Sequence, residues 1–369
     1  MKVAYFALGE TYNSPHAGFV HTYNIVKSLS RYVDIELFIR GQKQKTDIPT
    51  TFVSPPSVKL ENPIKYIKSY AILKMQIKKF DIIHERFHIN PIDLLFVENK
   101  KYVLEVNDPA PIIYSGIKGK IYSKIIKKKF ARVDALITQT ETLKKILSKF
   151  YSGRIYVVAN GVDIKFFEKN KRKFDTRKKY GIKKGQIIIT FTGSFREWHG
   201  VHHLPYIAEE IGKEFKDVVF LLVGSGPLFE EIKKNKKDNM ILTGPVPYEY
   251  IPSILSQSDI LIAPFSTEKF ASLEKYGFYW CPVKLFEYMA SGKPIVSYDY
   301  EEIRKIIKGA SLLAKPDDLQ DFIENIKNLI TNKKLRKKLG SYGKSKSKSY
   351  DWSERAKEIL RIYREIYDN

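Results

Sequence analysis

The sequence predicts a two-domain α/β protein built on doubly wound parallel sheets, and three observations carry that prediction. The chain has 369 residues, which at roughly 100–200 residues per domain calls for about two domains. Short apolar runs of strand length alternate with amphipathic stretches from end to end, the pattern of βαβ units. Several of those runs are continuous rather than alternating, as in strands covered on both faces.

In the first half, strands are expected at Lys2–Leu8, Val33–Ile39, Asp81–His84, Tyr102–Val106, Val133–Ile137 and Arg154–Val158. Apolar residues three and four apart place helices at Gly18–Arg31, Ile117–Lys129 and Thr140–Phe150. The polar stretch Lys165–Gly185 reads as the opening of a second domain that begins near Asn160. Strands then follow at Gln186–Thr192, Val218–Val223, Met240–Thr243, Asp259–Ala263, Pro294–Tyr298 and Ser311–Leu313. The basic run Lys333–Lys348 reads as solvated linker and helix end. A last helix, Trp352–Tyr367, carries Ile359, Leu360, Ile362, Tyr363 and Ile366 on a stripe that needs a surface to cover.

Composition narrows the function. A hydrophobic share of 43% excludes a disordered chain. Lys and Arg outnumber Asp and Glu by 64 to 41, for a net charge of +23, so an anionic partner is expected: a phosphate ligand, a lipid surface or nucleic acid. The positive residues are scattered through helices with no aromatic-interleaved reader motif, which argues against nucleic acid. The lone cysteine, Cys281, allows no internal disulfide framework and points to a reducing compartment. The N-terminal MKVAYFALGE reads as a strand rather than a signal peptide, and no apolar run approaches the roughly 20 residues of a membrane span. A cytoplasmic protein is expected, with any membrane contact peripheral. One helix suits such contact: Lys118–Arg132 interleaves seven basic residues with Ile121, Tyr122, Ile125, Ile126 and Phe130, a pattern that fits anionic headgroups or an ordinary surface helix equally.

In open α/β sheets ligands sit beyond the carboxyl ends of strands, so the loops there carry the search for a site. In CPVKLFEYMASGKPIV, Cys281–Val296, Pro282 opens a helix and Gly292 stops it. Lys284 and Glu287, three apart, share a face near its positive end. They fit a phosphate and a pair of ribose hydroxyls, or a surface ion pair. Gly18, in HAGF at His16–Phe19, fits backbone approach to phosphate or a plain strand-to-helix turn. Glu105, Asn107 and Asp108 end the strand Tyr102–Val106, where Asp108 and Pro109 also fit a turn. HERFH, His84–His88, satisfies the HExxH zinc pattern, but it follows a strand and Pro91 leaves little room for a helix.

The segments PVKLFEYMASGKPIV, ANGVD (Ala159–Asp163), GSFREWHG (Gly193–Gly200), LVGSGP (Leu222–Pro227) and SDILIAP (Ser258–Pro264), together with HERF, LEVNDP (Leu104–Pro109) and DALITQTE (Asp134–Glu141), stand in one order along the chain. That ordered set resembles the family 4 retaining glycosyltransferases, which have the GT-B fold of two facing Rossmann-like domains and an interdomain cleft. The resemblance implies a first, acceptor-side domain of residues 1–159 with the returning helix 351–369, and a nucleotide-sugar domain of residues 160–350. It implies transfer from a nucleotide-diphosphate sugar to a hydroxyl of a glycan, a lipid-linked acceptor or a small metabolite.

By the same resemblance Glu287 and Leu285, two positions before it, bind the donor, Lys284 reaches its pyrophosphate, and Gly18 faces its phosphates. Tyr279 stands where the family places a first glutamate, while Ser194 and His199 stand where it places an Arg and a Lys; Arg196 between them is expected to supply charge with Lys284. Val246 marks the loop expected to read the base, and His21, Arg86, Glu105 and Asn107 lie on the acceptor side with Asp108 as candidate proton acceptor. No DxD triplet occurs, which fits the metal-independent class, so no cofactor is expected. A GT-B sugar-nucleotide epimerase and a HERFH zinc hydrolase are the alternatives.

Overall fold

The computed structural model describes residues 1–14, 17–53, 73–88, 99–109, 116–268 and 270–368. They divide into two compact units, Met1–Asn160 with Trp352–Asn369, and Gly161–Asp351. Both divides lie one residue later than the sequence suggests. Asn160 stays with the first unit because its side chain bonds His21 Nδ1 (2.7 Å) and Gln139 Nε2 (3.2 Å). Asp351 stays with the second, where its Oδ2 accepts from Ile164 N (3.2 Å).

The first unit is organised on seven described strands: β1 (Lys2–Thr11), β2 (Asp34–Arg40), β3 (Thr50–Val53), β4 (Ile82–Arg86), β5 (Lys101–Val106), β6 (Ala135–Thr138) and β7 (Ile155–Val157). Every pairing is parallel, in the order β3-β2-β1-β4-β5-β6-β7. The order reverses direction between β1 and β4, which makes their carboxyl ends the switch point where such sheets take ligands. The last helix, Trp352–Tyr367, buries Trp352, Ala356, Ile359, Ile362, Tyr363 and Ile366 in one core with Ile25, Val26 and Leu29 of the helix Ala17–Leu29. The stripe visible in the sequence is thereby covered.

The second unit has six described strands: β8 (Ile187–Thr192), β9 (Val218–Val223), β10 (Met240–Gly244), β11 (Ile260–Ala263), β12 (Ile295–Tyr298) and β13 (Ser311–Ala314). They are again parallel, ordered β10-β9-β8-β11-β12-β13, with the switch point between β8 and β11. All six residues of β9, VVFLLV, are buried, as a strand roofed on both faces requires.

The structure adds elements that the sequence does not predict and corrects one expectation. β3 has no counterpart in the predicted strands; it is an edge strand of four residues with only Val53 buried, too short to show a period. The stretch Lys165–Gly185 holds two short helices, Ile164–Asn170 and Thr176–Tyr180, whose first turns are capped by Asp163 and Asp175. Residues Lys333–Ser347 form one continuous helix rather than linker, because Leu339, Gly340, Gly343 and Ser347 line a buried stripe on it.

Candidate functional site

The loop after β8 carries GSFREWHG, and its backbone is built for close approach. Gly193 has φ +141, and a Cβ there would lie 2.5 Å from Lys284 Nζ. A Cβ on Gly224, after β9, would lie 2.0 Å from the Gly193 carbonyl oxygen. Only glycine permits this crossing of two strand ends. Gly193 N donates to Val223 O (3.0 Å) and Phe195 N to Ser225 O (2.9 Å), so the two loops are fastened together.

Lys284 enters from the first turn of the helix Val283–Ser291. Tyr288, one turn on, fixes that helix against both strands of the switch point: its hydroxyl accepts from Thr192 N (2.8 Å) and donates to Ile262 O (3.4 Å). The Lys284 ammonium is buried, lies 4.2 Å from the centre of the Phe191 ring and 5.3 Å from that of Phe265, and has no hydrogen-bond partner. Burial pushes its pKa down to about 7, against the opposing pull of Glu287. A buried cation without a hydrogen-bond partner costs several kcal/mol, order of magnitude, unless a ligand supplies the anion.

His199 is also buried beside Gly193, its Nδ1 on the Ser194 carbonyl and 3.2 Å from Ser194 Oγ. Burial first, then the charge of Lys284, holds it well below the ordinary imidazole pKa, so it is neutral. Glu287 is buried and accepts a hydrogen bond from Tyr248 Oη (2.7 Å). Burial raises its pKa, while Tyr248 and Lys284 oppose the shift. Tyr248 stacks on Phe166 with 5.3 Å between ring centres at 12°.

The switch point of this unit thus gathers Gly193, Ser194, His199, Lys284 and Glu287. Arg196 lies on the same loop but is exposed; its charge reaches the site as a minor influence on His199. Val246 is half-buried two residues before Tyr248. Two further residues expected at the donor are placed in the packing of this unit. Tyr279 is fully buried with its hydroxyl 2.7 Å from Ser272 Oγ. Leu285 is fully buried and its N–H already donates to Pro282 O (3.1 Å). Tyr248, Phe166 and Tyr288 escaped sequence reasoning. The first two are far from any glycine-rich turn, and Tyr288 sits in the apolar stripe of its helix, where an aromatic reads as core.

In the first unit, Glu105 is the centre of a buried network at the ends of β1, β4 and β5. Its carboxylate accepts from Tyr5 Oη (2.8 Å) and Arg86 Nη1 (3.3 Å), and lies 2.8 Å from His21 Nε2 and 3.4 Å from His84 Nε2. Burial alone would raise Glu105, but His21, His84 and Arg86 outweigh it and hold the carboxyl well below its usual range. Arg86 also binds Glu10 (3.0 Å), whose carboxylate fills the space a Cβ on Gly18 would take. Arg86, His21, Glu105 and Gly18 are therefore near one another, whereas Asn107 is half-buried and Asp108 exposed beyond the strand.

HERFH is corrected as a zinc motif, since His84 to Arg86 belong to β4 itself and the two imidazoles serve different carboxylates. His84 Nδ1 is 2.5 Å from Tyr363 Oη, and His88 Nδ1 is 3.3 Å from Glu85. Glu85 is spent on a buried ion pair with Lys129 and a hydrogen bond from Tyr102. Burial opposes ionisation there, but Lys129 and His88 bring its pKa down to about 2. Lys129 is thus removed from the basic face expected on the helix Gly116–Phe130, where Lys120, Lys124, Lys127 and Lys128 are exposed. The side chain of Lys118 and residue His16 lie outside the described residues.

Two family models divide the chain between them: Glycosyltransferase Family 4 matches residues 18–166, and Glycosyl transferases group 1 matches residues 172–346. An uncharacterized glycosyltransferase of Methanocaldococcus jannaschii is 24% identical over 95% of this chain and 94% of its own length. Among solved structures, sucrose-phosphate synthase from Thermosynechococcus elongatus matches with a TM-score of 0.77 at 13% identity, over 100% of this chain and 99% of that one. Anabaena HepE in complex with UDP-glucose matches with a TM-score of 0.76 at 14% identity, over 99% of this chain and 100% of its own. With its two parallel doubly wound sheets and these matches along nearly its whole length, the chain is a glycosyltransferase with the GT-B fold.

Proposed function

We propose that the enzyme takes its sugar from a nucleoside diphosphate sugar and passes it, with retention of configuration and without a metal at the phosphates, to a hydroxyl of a glycan or lipid-linked acceptor. One observation carries the reading: the buried ammonium of Lys284 lies over the Gly193 backbone at the switch point, with no hydrogen-bond partner from the protein. The diphosphate of a donor supplies the missing charge. HepE, of the same fold, is known with UDP-glucose, which supports a nucleotide sugar here.

As the bond from the anomeric carbon to the phosphate oxygen breaks, its electron pair goes to the leaving diphosphate. Lys284 is positioned to neutralise that charge, with Arg196 as the second cation, and such preorganised cations are worth several kcal/mol, order of magnitude. His199, neutral and held by Ser194, orients rather than charges this wall. Glu287, with Tyr248 on its Oε1, keeps its other oxygen for a ribose hydroxyl. The acceptor oxygen then bonds the anomeric carbon on the face the phosphate leaves, and its proton goes to the leaving phosphate.

No helix of the described residues is long and apolar enough to cross a membrane. The exposed lysines of the helix Gly116–Phe130, with Ile121 exposed among them, support peripheral contact with an anionic membrane on the cytoplasmic side. The test of the donor reading is a thermal-shift panel of nucleoside diphosphates and their sugar conjugates in EDTA. A ligand at about 100 times its dissociation constant adds roughly 2.7 kcal/mol. Stabilisation by one base, lost in Lys284→Met, is the expected result; no shift with any nucleotide overturns the assignment.

A further inference from the structure

Away from the Lys284 cluster, the described residues bring together one set of side chains with the donor atoms of a metal centre. His202, His203 and Glu268 each offer one ligand atom, and the three atoms lie within 4.8 Å of one another. The histidines end the short turn Val201–His203 that leads into the helix Leu204–Glu214. Glu268 comes from the loop after β11, and its position is set by other bonds. Its N–H donates to Ser266 Oγ (3.1 Å), Ser266 N donates to Trp198 O (3.3 Å), and Ser266 Oγ donates to Asp317 (3.3 Å). The ligands therefore arrive from the two loops that flank the β8/β11 switch point, on backbone already fastened together.

We infer that His202, His203 and Glu268 form a transition-metal site of the zinc class, which clamps the loop after β8 to the loop after β11. Two imidazole nitrogens with one carboxylate oxygen are the donor set of Zn2+ and its neighbours Co2+ and Ni2+, whereas Mg2+ and Ca2+ take oxygen ligands. Bonds of about 2.0–2.2 Å place tetrahedral ligand atoms roughly 3.5 Å apart. Rotation of the exposed Glu268 side chain supplies the remaining closure without moving the backbone. The His202 ring nitrogens are buried, while His203 is half-exposed and Glu268 exposed, so the ion enters from the side of the latter two, and three protein ligands leave a fourth position for water. None of the three ligands is among the groups assigned to the diphosphate, so the inference stands apart from the donor reading. Its role is to hold the turn that carries Trp198 and His199.

The experiment is calorimetric titration of protein without a polyhistidine tag, stripped with chelator, using Zn2+, and absorption spectroscopy with Co2+. One ion per chain should bind with a micromolar or tighter dissociation constant, with the visible bands of four-coordinate Co2+, and excess Mg2+ should not displace it. Outer-sphere partners alone are worth about 10- to 100-fold in metal affinity, so Glu268→Gln and His203→Ala should each weaken binding by at least about tenfold. Glu268 is exposed, so its variant should melt with the wild type when metal-free, which guards against a folding defect in His203→Ala. No saturable binding at sub-millimolar zinc, displacement by Mg2+, or undiminished binding to Glu268→Gln would overturn the assignment.

Discussion

Lys284 is costly to the unliganded protein, and the cost has a sign that can be measured. Its pKa is depressed to about 7 in the folded state and is near 10.4 in an unfolded chain. Between those values the unfolded chain binds the extra proton, so the contribution of Lys284 to stability rises with pH across this window. Below about pH 7 the full penalty of a buried charge is present. Lys284→Met should accordingly raise the melting temperature at pH 6.5, by about 2–4 °C per kcal/mol relieved, while nucleoside diphosphate binding is lost. Donor binding should draw that pKa upward again. At pH 8 the wild type should take up close to one proton per nucleotide bound, seen as a dependence of calorimetric heat on buffer ionisation; no uptake would remove Lys284 from the phosphate. Glu287→Gln, which loses a charged acceptor worth about 1.5–3 kcal/mol, should weaken nucleotide binding about 10- to 100-fold. Lys284 and Glu287 were legible because polar residues three apart interrupt an apolar helix. Tyr248, which holds Glu287 from a different strand end 39 residues away in sequence, leaves no local trace.

Among the elements, the helix Lys333–Ser347 shows how packing overrides composition. Its lysines and its GSYGKSKS run argue for linker, and glycine costs a helix roughly 0.5–1 kcal/mol relative to alanine. Yet a Cβ on Gly340 would lie 2.1 Å from the Gly292 carbonyl oxygen, which ends the helix bearing Lys284. Gly340→Ala should therefore destabilise by about 1–3 kcal/mol, opposite to the gain that propensity alone predicts, as read by denaturant unfolding. Every predicted strand recurs in the structure; Val218–Val223, buried on both faces, is the clearest run, while Ile155–Val157 and Ser311–Ala314 recur although most of their residues are only half-buried. β3 was invisible for the converse reason: an edge strand with one buried residue has no pattern to display. HERFH misleads in a related way, because a five-residue pattern does not say whether its backbone is helix or strand, and that choice decides whether two imidazoles can meet.

For the molecule as a whole, the net charge of +23 finds several outlets, and the membrane proposal isolates one. Replacing Lys120, Lys124, Lys127 and Lys128 by Gln should abolish cosedimentation with vesicles rich in anionic lipid, at about 1 kcal/mol per lysine, while nucleotide binding persists. Retained cosedimentation would move the contact elsewhere. Chain order bears on synthesis. The helix Trp352–Tyr367 completes the core of the first unit, and His84 meets Tyr363 across 279 residues of sequence. During translation the whole of residues 161–351 must leave the ribosome before that surface can be covered, so the first unit waits, partly open, while the second is made. Residues 1–160 expressed alone should accordingly aggregate, and a peptide of residues 352–369 added during refolding should restore solubility. The nascent chain thus passes through a long interval in which Ile25, Val26 and Leu29 face water, and chaperone demand should track how quickly the ribosome reaches Trp352.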